Sequence, residues 1–81
     1  AFQLFPNPAT RSCQINVNQI ITRPVFYMYN TSGEAVAIFR EKTATHWKLD
    51  VSNLNPGLYM VTGLDHKGRL LGNRKLVILP Y

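Results

Sequence analysis

One cysteine, Cys13, in 81 residues rules out an internal disulfide and the cystine framework on which many small secreted domains rely. No apolar run approaches the roughly 18 residues that a membrane-crossing helix needs. Helical periodicity is missing along the whole chain, so an α-helical bundle is not expected. No basic n-region with a cleavable apolar segment precedes the first apolar residues, and the chain reads as a module cut from a longer protein. Acidic residues are few: four Asp and Glu stand against nine Lys and Arg, a net charge of +5. The basic residues, Lys67, Arg69, Arg74 and Lys75 among them, never form a block, and the recognised nucleic-acid motifs are absent. Nucleic acid is therefore not an expected partner, and a solvated basic face accounts for the charge, with a polyanionic partner as the other reading.

What is present is a short-strand pattern. Nearly half the residues are apolar and only 16% are charged, which argues for a folded unit. A chain of this length makes a single small domain, residues 1–81, with a thin core. Apolar segments are split by turn residues roughly every 8 to 12 positions, as an antiparallel all-β domain requires. "FQLF" runs into "PNPA", where Pro6 and Pro8 forbid ladder pairing on both sides of Asn7. "SCQINVN" then alternates, with Cys13, Ile15 and Val17 expected on one face and Ser12, Gln14, Asn16 and Asn18 on the other. "PVFYMYN" and "EAVAIFRE" flank "NTSG", a hairpin tip in which Gly33 takes positive φ at no steric cost. "THWKLDV" places Trp47, Leu49 and Val51 together, and "LYMVTGL" and "RLLGNRKLVIL" make a last hairpin around "DHKG". Seven strands in one small domain predict an immunoglobulin-like antiparallel β-sandwich. The expected core is Ile15, Val17, Phe26, Met28, Val36, Leu49, Val51, Leu54 and Tyr59.

"NLNPGLYMV", residues 53 to 61, crowds a proline, a glycine and a tyrosine before an apolar run. This is the pattern of a tyrosine corner, in which a phenol hydrogen-bonds back to the backbone where the chain crosses between sheets. Leu54 plugs the core below the crossing, Pro56 and Gly57 make the turn, and Tyr59 ties it down.

With "LFPNPA" at the start, "MYNTSGEAV" in the first hairpin, "LDVSNLNPGLYMV" at the crossing and "GRLLGNRKLVI" at the end, the chain resembles the C-terminal sorting domains of the type IX secretion system of Bacteroidetes. The resemblance implies a function of address and delivery. A protein of this kind passes through the periplasm, and an outer-membrane translocon recognises its folded C-terminal domain. In many relatives a sortase-like protease then removes the domain and joins the cargo to anionic lipopolysaccharide at the cell surface; others keep it or are released. The domain itself performs no chemistry in that scheme. Its partners are the translocon, the protease and the upstream cargo domain, and no cofactor is implied.

The translocon contacts are expected at Lys75, Leu76, Val77, Ile78, Leu79, Pro80 and Tyr81, an extended end that an exposed sheet edge can read as a strand. This segment is apolar on both faces, with Leu76 and Ile78 on one and Val77 and Leu79 on the other; either the sandwich buries it or one row docks on a partner. Leu58, Met60 and Leu64 form a second apolar row that Tyr59 turns outward. The family usually closes soon after its last apolar alternation, whereas Pro80 and Tyr81 follow here, which leaves open a retained domain of the surface machinery itself. An adhesion or carbohydrate-binding sandwich is the remaining alternative, with Tyr27, Tyr29 and Trp47 as the available aromatic platform. Catalysis is not expected. Cys13, His46, His66, Asp50 and Asp65 offer a thiol, bases and carboxylates, but Cys13 alternates with core residues and His66 sits in a turn. No close ligand spacing points to a metal. The "NTS" sequon at 30–32 is explained by the hairpin turn.

Overall fold

The computed structural model describes residues 2–40 and 44–80. Seven strands follow one another: β1 (Phe2–Phe5), β2 (Ser12–Ile21), β3 (Val25–Tyr29), β4 (Ala35–Arg40), β5 (Ala44–Asp50), β6 (Gly57–Leu64) and β7 (Leu70–Ile78). They form a three-stranded sheet, β1-β2-β5, and a four-stranded sheet, β4-β3-β6-β7. All strand pairs are antiparallel. The expected immunoglobulin-like sandwich is the fold observed. Relative to the constant-type arrangement, the fourth strand sits at the edge of the second sheet instead of beside the fifth.

Alternation within each strand builds the core. Ile15, Leu49 and Trp47 face inward from the first sheet, and Phe26, Met28, Val61, Leu76 and Ile78 from the second. Each fully buried apolar side chain contributes roughly 1.5–3 kcal/mol over leaving it in water. Phe26 is the centre of an aromatic row, edge-on to Phe2 and tilted against Trp47, both at 5.3 Å between ring centroids. Gly63 gives this row its space, since a Cβ there would stand 2.7 Å from Cε1 of Phe26.

Three expected core residues sit differently. Val36 is 38% exposed and points outward. Met28 pairs with Ala37 and Phe26 with Phe39, so Ala37 and Phe39 face the core while Val36 and Ile38 take the other side. Alternation in "AVAIF" marks two rows without saying which faces inward, and the more apolar row faces out. Val17 is half-buried, opposite Phe2, where the pairing of β2 with β5 slips between Asn16 and Ile21. Leu54 is half-buried but packs against the core cluster.

Both hairpin tips use one device. Asn30 Oδ1 accepts from Ser32 N and Glu34 N at 3.0 Å each, with Gly33 at φ 84°. Asp65 Oδ1 accepts from Lys67 N at 2.8 Å and Arg69 N at 2.9 Å. The Arg69 N–H, with that of Lys67, holds the Asp65 carboxyl below its usual range.

The tyrosine corner closes as expected, with Tyr59 Oη donating to Asn55 O at 2.6 Å. Gly57 stands at φ 150° in open space, so backbone strain alone excludes a side chain there. Tyr59→Phe should lower the unfolding free energy by about 1 kcal/mol in a denaturant titration, and Gly57→Val by more. Identical midpoints for wild type and Tyr59→Phe would show that the phenol only packs.

Candidate functional site

The two ends of the chain meet along the outer edge of β7. Between Pro6 and Pro8 the passing segment meets this edge through a side-chain amide, which offers both a donor and an acceptor. Asn7 Nδ2 donates to Lys75 O at 2.7 Å, and Asn7 Oδ1 accepts from Val77 N at 3.1 Å. Backbone then takes over: Ala9 N donates to Val77 O and Leu79 N to Ala9 O, both at 2.8 Å. Ala9 thereby bridges Ile78 in parallel, with its methyl buried in the core. Next to this clasp Arg74 Nε donates to Phe2 O at 3.0 Å, and the guanidinium lies 5.9 Å over the Phe2 ring. Two expectations are corrected here. The expectation that the two prolines forbid pairing on both sides of Asn7 fails at Ala9, whose N–H and C=O join β7, and the C-terminal strand does not present a free edge from Lys75 to Leu79.

The outer faces of the two sheets differ in character. Registered rows place Gln3 with Asn16 and His46, Phe5 with Gln14 and Lys48, and Ser12 with Asp50 on the outside of the three-stranded sheet. That face is polar apart from Phe5 and Ile20, each 68% exposed. On the four-stranded sheet the rows are Arg40–Val25–Leu64–Leu70, Ile38–Tyr27–Thr62–Asn73, Tyr29–Met60–Lys75, and Leu58–Val77, apolar except for Arg40, Thr62, Asn73 and Lys75. Tyr27 and Tyr29 stack at 6.2 Å with 22° between their planes. Ile38 is 51% exposed, and Leu58 and Leu79 are each 44% exposed. An antiparallel sheet wet on one side normally alternates cleanly, so this second face is apolar beyond what the fold requires. A shallow apolar groove lined by Leu58, Met60, Lys75, Asn30 and Thr31 crosses its β6 side.

The seven expected contact residues divide by face. Leu76 and Ile78 are buried in the core, where no partner reaches them in the folded domain. Val77 is half-buried on the outer face opposite Leu58, Lys75 is exposed opposite Met60, and Leu79 and Pro80 are exposed beyond the strand. Tyr81 lies outside the described residues. Of the second apolar row, Leu58 is exposed, and Met60 and Leu64 are half-buried on the same face. Among the structural positions, Pro6, Asn7 and Pro8 are exposed at the clasp, Gly33 at its hairpin tip and Pro56 at the corner.

The residues weighed for catalysis do not converge. Cys13 points into the core, where burial raises its thiol pKa, while His46 points outward from the same sheet. His66 and Asp65 belong to the β6–β7 tip. Among the described residues no group of three His, Cys, Asp or Glu lies close enough to hold a metal ion. The aromatic platform is also divided: Trp47 is buried between the sheets, and only Tyr27 and Tyr29 share the outer face.

Sequence reasoning did not find the clasp or the role of Gly63. The available signals were an asparagine held between two prolines, a small residue directly after them, and a glycine inside an otherwise apolar strand.

A family model described as "Secretion system C-terminal sorting domain" matches residues 3–79. No curated protein sequence matches the chain significantly.

Proposed function

The chain belongs to the family of secretion system C-terminal sorting domains, and from that premise we propose that an outer-membrane type IX translocon recognises the folded domain through the apolar outer face of its four-stranded sheet. Membership implies an exported protein that passes the outer membrane and engages the type IX machinery. Within that frame the contact runs over Leu58, Met60, Val77 and Leu79, with Lys75 and Pro80 at its margin. The observation that carries this reading is the apolar cluster on that face, where Leu58, Met60 and Val77 lie beside Tyr27, Tyr29 and Ile38 in registered rows. Leu76 and Ile78 act indirectly, by anchoring β7 so that Val77 and Leu79 point outward. Removal by a sortase-like protease, transfer of the cargo to anionic lipopolysaccharide and a final place at the cell surface complete the reading.

Its test is a reporter carrying a signal peptide, fused ahead of this domain in a type IX-competent bacterium. Leu58→Glu with Leu79→Glu places two charges on exposed positions and should leave the fold intact. Surface reporter should fall by about tenfold or more, with the missing protein in the periplasm, if each charge removes about 1 kcal/mol of docking energy. Undiminished surface delivery by the folded double variant would locate recognition elsewhere. An adhesion module, by contrast, predicts delivery that ignores these changes.

A further inference from the structure

From Lys75 to Leu79 the outer edge of β7 presents an acceptor, a donor, an acceptor and a donor: Lys75 O, Val77 N, Val77 O and Leu79 N. Asn7 and Ala9 answer in the complementary order at 2.7, 3.1, 2.8 and 2.8 Å. One extended chain running parallel to β7 supplies the same series from backbone alone. Here half of the series comes from the side-chain amide of Asn7, standing where a regular parallel strand would use the backbone N–H and C=O of that residue. Both bonds of that amide are solvent-exposed. The edge is bounded as well. At one end Arg74 Nη1 donates to Asn73 O at 3.0 Å, and at the other the strand itself ends at Ile78.

We infer that the Lys75–Leu79 edge is a strand-acceptor site whose ligand is a short extended peptide lying parallel to β7, and that the chain's own Asn7–Ala9 segment occupies it in the free domain. The ligand carries a small residue opposite Ile78, because the Ala9 methyl is fully enclosed there. Two residues earlier it carries an asparagine, or a backbone amide in that position. The cis segment competes at a local concentration on the order of millimolar, so a peptide added in trans meets a closed site until the clasp is weakened. This site is separate from the apolar outer face, and its test needs no secretion apparatus.

The test uses the full 81-residue chain, isotopically labelled for NMR, and a synthetic peptide with the sequence of residues 4–10. In the wild-type protein the peptide should cause no saturable shift below about 1 mM. Asn7→Ala should speed amide exchange of Val77 by about tenfold or more, and the peptide should then bind in saturable fashion and restore protection. A peptide with alanine in place of its asparagine should bind about tenfold more weakly. Asn7→Asp, which keeps the acceptor for Val77 N and loses the donor to Lys75 O, should fall between wild type and Asn7→Ala. Val77 and Leu79 exchange unchanged in the folded variants would overturn the inference, as would peptide-induced shifts located away from β7. Loss of folding in both variants would overturn it too, since a displaceable segment is dispensable for the fold.

Discussion

Gly63→Ala is expected to be the most damaging single-atom addition in this domain. The new Cβ would lie 2.7 Å from Cε1 and 3.0 Å from Cδ1 of Phe26, and 3.2 Å from Cε1 of Phe2. Neither ring has room to retreat, because both are enclosed and Phe26 is wedged between Phe2 and Trp47. Over-packing of this kind costs roughly 1–3 kcal/mol, and the central position argues for about 3. In a domain of this size that corresponds to a fall of about 12–24 °C in Tm, followed through Trp47 fluorescence. Gly33→Ala is the control: open space surrounds its Cβ position, so only the backbone at φ 84° resists, at about 1 kcal/mol. Equal melting of Gly63→Ala and wild type would show that the aromatic row is loosely packed.

Truncation at the C-terminus should separate stability from sorting. Deleting Lys75 to Tyr81 removes Leu76 and Ile78 from the core, the β6 partners of Gly57 to Met60, and the groups that Asn7 and Ala9 hold. Two buried aliphatic side chains at about 2–3 kcal/mol each, with the ladder lost as well, approach the whole margin of about 4–12 kcal/mol for 81 residues. No cooperative unfolding transition should remain, and a fused reporter should stay off the surface. Deleting only Pro80 and Tyr81 leaves the last clasp bond, from Leu79 N to Ala9 O, in place. Stability should then change by less than about 0.5 kcal/mol. If the extended end is part of the signal, this short deletion already leaves reporter in the periplasm while the domain stays folded. Normal export with the short deletion would remove Pro80 and Tyr81 from the signal, and normal export with the long one would defeat the sorting reading.

Much of the architecture is local and was therefore legible. "SCQINVN" declares a half-buried strand by alternation, "NTSG" and "DHKG" declare their turns by side-chain acceptors and glycine, and "NLNPGLY" declares the corner, whose bond spans four residues. The four ordered landmarks also carried the family, since each lies in a contiguous stretch of chain. Other features depend on residues that only the fold brings together. Period-two alternation shows that β4 has two rows, but the register against β3 decides that Ala37 and Phe39 face inward and Val36 and Ile38 outward. Gly63 is a plain strand glycine until Phe26 and Phe2 arrive from two other strands to lie against it. Asn7 reads as an unpaired residue between two prolines because its partner, the Lys75 carbonyl, is 68 residues away. By itself the sequence determined the strands, the turns, the corner and the sorting family, because those rest on neighbours within a few residues. The clasp over β7, the packing about Gly63 and the choice of which β4 row faces outward were decided by the tertiary structure alone, because hydrogen bonds and van der Waals contacts act over a few ångströms of space whatever the distance along the chain.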